Sequence, residues 1–125
     1  MALGKRVKQG GSYFKGYQLT VNSAAADYVL HVDTAHQVVI NSLQLIPDSY
    51  GIGDYITVGH YVNSTAGSGL VDTIADTIYN AGGGAGIDLE FPALEPMLAD
   101  EDLRITYTNV ASVAMVLNII VEFAR

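Results

Sequence analysis

Leu103-Arg104-Ile105-Thr106-Tyr107-Thr108 places an apolar side chain at every odd position and a polar one at every even position. Side chains of a β-strand point to alternate faces, so this stretch makes one dry face and one wet face. The residues that follow extend the pattern. Val113, Met115, Leu117, Ile119, Val121 and Phe123 line one continuous apolar face, while the other reads Ala114, Val116, Asn118, Ile120, Glu122 and Ala124. A strand in a two-layer structure needs only one dry face. The second face, with Val116 and Ile120 on it, is therefore expected to be covered by a neighbouring subunit or by a loop.

The same reading, carried outward, finds short Val-, Ile-, Thr- and Tyr-rich segments every ten to fifteen residues or so, separated by turn residues. The segments are Ser12–Val21, Asp27–Val32, His36–Ile46, Asp54–Val62, Gly86–Phe91, Leu103–Asn109 and Ser112–Phe123. Residues 70–79 are ambiguous. Leu70, Val71, Ile74, Ala75 and Ile78 share one face of a helix, whereas the β-branched content favours a strand. The expected fold is all-β: a single antiparallel β-sandwich over residues 12–125, jelly-roll-like with about eight strands, in which residues 70–79 form the eighth strand or a short helix. An immunoglobulin-type sandwich is the neighbouring possibility, but the chain has neither Trp nor Cys to mark that core.

The 125 residues are 50% hydrophobic and 15% charged, which suits one domain with a core of its own. With no cysteine, thiol catalysis, disulfides and cysteine-ligated metals are excluded together. The opening residues MALGKRVKQG lack the apolar stretch of a signal peptide, and the apolar run from Val110 to Val121 is far shorter than the roughly 20 residues of a membrane span. The expectation is a soluble protein without a cleaved signal.

Charge divides the chain unevenly. Lys5, Arg6, Lys8 and Lys15 give the first fifteen residues +4, and residues 16–125 hold two arginines against all 13 acids, a net −11. Such a body repels nucleic-acid phosphates. The glycine-bounded basic arm, residues 1–11, is expected to lie across an acidic neighbouring surface through Lys5, Arg6 and Lys8, or to remain a solvated terminus.

A search for chemistry returns mostly structural readings. His31, His36 and His60 lack the spacing of a metal site and read as surface or strand-end residues. Asp48 and Asp54 could offer oxygen to Ca²⁺, but without the D-x-D-x-D-G pattern they read equally as turn residues. No G-x-S-x-G elbow is present, and Gly67-Ser68-Gly69 does not supply one. The carboxylates Asp88 and Glu90, and Asp100, Glu101 and Asp102, read as solvated charge. The glycine run of residues 81–86 precedes Asp88 and Glu90, which would repel a phosphate, so it reads as a surface loop. Asn63-Ser64-Thr65 also reads as loop. Tyrosine is abundant, eight against three Phe, and Tyr50, Tyr55 and Tyr61 cluster in sequence. Large rings with a polar tip suit protein interfaces, and secondarily sugars. No cofactor is expected.

His36–Pro47, Tyr50–Val58 and Leu103–Asn109 with the strand after it, set in an acidic body with a basic arm, resemble the small β-sandwich virion structural proteins of tailed bacteriophages. That resemblance implies a non-enzymatic virion protein: a capsid decoration or cement protein, or a neck or tail ring component. It further implies a homo-oligomer, a trimer first, in contact with other virion proteins such as a major capsid protein. The alternative is a glycan-binding sandwich used in host attachment, and a small hydrolase comes third.

Overall fold

The computed structural model describes residues 12–33, 36–49, 51–62, 69–80 and 87–124, and of residues 33 and 87–95 it describes the backbone. The strands are β1 (Tyr13–Val21), β2 (Asp27–Asp33), β3 (Val38–Pro47), β4 (Tyr55–Tyr61), β5 (Leu70–Tyr79), β6 (Ile87–Met97), β7 (Asp102–Thr108) and β8 (Met115–Ala124). They form two four-stranded antiparallel sheets, ordered β1-β8-β3-β6 and β2-β7-β4-β5.

A simple rule generates that order. First pairs with eighth, second with seventh, third with sixth and fourth with fifth, as though one long hairpin were folded at residues 62–69 and then rolled up. The rolling brings β8 beside β3 and β7 beside β4, closing each sheet. This is the jelly-roll arrangement.

The core lies between the sheets. Leu103, Ile105 and Tyr107 of β7, and Met115, Leu117, Ile119, Val121 and Phe123 of β8, are buried, and the residues alternating with them on β8 from Val116 onward are half-buried. Each fully buried aliphatic or aromatic side chain contributes about 1.5–3 kcal/mol relative to exposure. The two central strands therefore supply much of the driving force. On the outside of β8, Val116 and Ile120 are half-buried among the strands on either side, where Thr20 and Gly16 of β1 and Gln44 of β3 oppose them.

Residues 70–79 form a strand, and the helical alternative is corrected. β5 pairs with β4 through three register irregularities, and Thr77 adopts φ 56°. Ile56 meets Ile78 while Val58 meets Ala75, so two steps on β4 correspond to three on β5. The extra residue breaks the two-residue period and leaves an apolar spacing that imitates a helix.

Candidate functional site

One end of the sandwich is built around Asp54, in the turn before β4. Its Oδ1 accepts the backbone N–H groups of Val110 (2.7 Å) and Ala111 (2.8 Å), and its Oδ2 accepts the Tyr107 hydroxyl (2.6 Å). Asn80 Nδ2 donates to the same hydroxyl oxygen at 2.7 Å and to the Ser49 carbonyl at 3.0 Å. Asp54, Asn80 and Tyr107 are all buried. Burial, then the Asp54 carboxylate, pushes the Tyr107 hydroxyl far above its ordinary pKa, so it stays a donor. The group ties three loops together and leaves both carboxylate oxygens occupied. Asp54 is thus a staple of the fold, and Asp48 acts similarly, its Oδ1 accepting the Val116 N–H at 3.0 Å.

The opposite end holds the histidine chemistry. His60, read from the sequence as a surface or strand-end residue, lies near the end of β4 and is buried. A carboxylate can only accept, so His60 Nε2 carries the proton it donates to Glu101 Oε1 at 2.9 Å. The Leu98 N–H reaches the same oxygen at 2.8 Å, and this bond, followed by His60, holds Glu101 below the usual carboxylate range. The reading of Asp102 as solvated charge is also corrected. Asp102 is fully buried, its Oδ2 accepting His31 Nδ1 at 2.8 Å and Arg104 Nε at 3.1 Å, while its Oδ1 has no hydrogen-bond partner. His31 and Asp102 share a register position's neighbourhood only because β2 pairs with β7, 71 residues apart in the chain. Among the described residues, no three His, Asp or Glu side chains converge to hold a metal ion.

The predicted interface residues fall on different surfaces. Tyr55 and Tyr61 stand at opposite ends of β4, on the outer face of the second sheet, where Tyr55 packs edge-on to Tyr79 with centroids 6.1 Å apart. Tyr61 lies flat enough for the Arg104 guanidinium to sit 3.8 Å above its ring centre. Gly59 makes room for that ring: a Cβ there would come within 2.8 Å of Tyr61 Cε1. Val116 and Ile120 are on the outside of the other sheet. Lys5, Arg6, Lys8 and Tyr50 lie outside the described residues, as do the glycine run and Asn63-Ser64-Thr65.

Sequence reasoning missed the exposed apolar side chains at the two ends of the sandwich. Near Asp54, Ile52 (83% exposed), Tyr79 (61%) and Val110 (54%) sit at one end of the sandwich. Around Tyr61 and Glu101, at the other end, Val62, Leu70, Val71 and Leu98 are about half exposed. The two ends are separated by the length of β4, about 20 Å at 3.3 Å per residue. No periodicity marks them, because they are assembled from turns and strand ends.

Comparison with models of known protein families finds no match, and comparison with curated proteins finds none either. Among solved structures, the chain is similar to a chain in the structure of infectious bursal disease virus Gx strain, with a TM-score of 0.49 and 11% sequence identity. The match covers 98% of this chain and spans 36% of the length of the other.

Proposed function

We propose that the protein is a non-enzymatic virion structural subunit of tailed-bacteriophage type, a capsid decoration or ring component that works by contact with neighbouring subunits. The observation that carries this reading is the exposure of large apolar side chains at both ends of one sandwich. A subunit with two separated sticky ends can bridge two neighbours, and burial of such side chains at about 25 cal/mol per Å² is the ordinary drive for association. The jelly-roll strand order fits, since the architecture recurs in viral capsid domains, although the fold by itself specifies no function. The neighbours would be copies of this chain, a trimer first, together with another shell protein such as a major capsid protein.

Light scattering on the eluting full-length chain, followed by mass spectrometry of purified particles, tests the proposal. The expected result is an oligomer at about 10 μM, and the chain present in particles at a fixed ratio to the shell protein. A monomer at that concentration that is also absent from particles would overturn it.

A further inference from the structure

Between β4 and β5, on the outer face of the second sheet, the β5 bulges open a pocket of about 210 Å³. Its floor carries Thr57, Gly59 and Thr106, and its walls carry Thr73 and Asp76 on one side and Arg104 stacked on Tyr61 on the other. Bulges beside binding sites commonly serve to re-aim side chains, and here three register irregularities fall between β4 and β5.

The guanidinium is oriented before any ligand arrives. Arg104 donates from Nε to the fully buried Asp102 at 3.1 Å, and its guanidinium stacks over the Tyr61 ring. Asp76 Oδ1 accepts the Thr77 hydroxyl at 3.1 Å, within β5 where Thr77 takes its positive φ. A buried carboxylate costs free energy, and orienting a guanidinium is a use that repays it. The result is a small pocket with three threonines, one tyrosine, one carboxylate and one guanidinium, and with no net formal charge among its lining residues.

We infer that this pocket is a binding site for one ring of a neutral saccharide. A sugar offers closely spaced hydroxyls, each both donor and acceptor. A carboxylate can take two of them at once, threonine hydroxyls meet others in either sense, and a guanidinium donates to a ring or hydroxyl oxygen. The volume lies below the roughly 300 Å³ where drug-sized sites begin, which suits a single ring. An acidic sugar is disfavoured by Asp76 and by the net −11 of residues 16–125. The inference does not depend on the assembly role, although the pocket adjoins the apolar end around Tyr61 and shares Leu70 with it.

The test is a titration of the full-length chain, followed by amide NMR, with the methyl glycosides of glucose, galactose, mannose and N-acetylglucosamine, and in a separate arm with glucuronic and sialic acids. At least one neutral glycoside is expected to shift the Gly59, Thr73, Asp76 and Thr106 amides saturably, with a Kd at or below about 10 mM. Asp76→Asn and Thr73→Val, both at exposed positions, are expected to weaken that binding about tenfold or more with the amide spectrum otherwise preserved. The inference is overturned by the absence of saturable shifts at these amides in the wild-type protein, by binding of the sugar acids alone, or by unchanged affinity in a folded Asp76→Asn variant.

Discussion

At the residue scale, the Asp54 carboxylate carries more than its position in a turn suggests. It satisfies two backbone donors and the Tyr107 hydroxyl in a buried setting, so its removal strands three donors at once. Asp54→Ala is expected to cost about 3–5 kcal/mol, and Tyr107→Phe, which removes the bonds of the hydroxyl to Asp54 and from Asn80 but leaves the two backbone donors satisfied, about 1–3 kcal/mol. Urea unfolding checks both, through a lower midpoint at unchanged slope. A loss below about 1 kcal/mol for Asp54→Ala would contradict the staple role. Little of this was legible beforehand. Asp54 was recognisable as a turn residue, but its partners come from loops 53–57 residues away, and the pairs His60–Glu101 and His31–Asp102 span 41 and 71 residues. Local spacing holds no record of such partners, which is why Asp102 was read as solvated and the burial of His60 was not foreseen.

Elements were far more readable than residues, for a physical reason. β7 and β8 keep an uninterrupted two-residue alternation because each is flanked by two strands and packs one whole face on the core. β5 lies at a sheet edge, where bulges are tolerated, and its extra residues erase that alternation. On the outer face of the β1-β8-β3-β6 sheet, Glu122 of β8 accepts hydroxyls from Ser12 at 2.6 Å and Ser42 at 2.7 Å, bridging both neighbouring strands. The Ser12 bond, then Ser42, lowers its pKa from 4.5. A depressed carboxylate stabilises the fold above its unfolded pKa, and that contribution disappears as pH falls through the lower folded value. Stability should therefore decline below about pH 4.5, less steeply in Glu122→Gln, as measured by urea midpoints from about pH 7 down to pH 3. Equal slopes for the two proteins would remove Glu122 from the account. On the same face, Val116→Ser with Ile120→Ser is expected to weaken self-association, read by light scattering, by more than it lowers the urea midpoint. A variant that unfolds before it dissociates would make these two side chains part of the core instead.

For the whole molecule, charge separation makes a further prediction. The first fifteen residues carry +4 and the rest −11, and attraction between exposed charges is screened over about 8 Å at physiological salt. Each such pair is worth only about 0–1 kcal/mol, yet repetition over many copies adds up. Deleting residues 1–11 is expected to lower particle occupancy at low salt, with a smaller difference at high salt, while the sandwich remains folded. Equal occupancy at every salt concentration would make the arm a passive tail. The nested strand order also has a consequence for the chain as it is made. β8 sits between β1 and β3, yet its partner residues lie 110 positions beyond Tyr13 and 70 beyond Pro47. At the usual 5–20 residues per second of synthesis, β3 waits on the order of 4–14 s on the ribosome for the neighbour that completes its sheet. Through that interval Leu43 and Leu45 face water or a chaperone. The nascent chain, before its last strand emerges, is the form of this protein most exposed to aggregation.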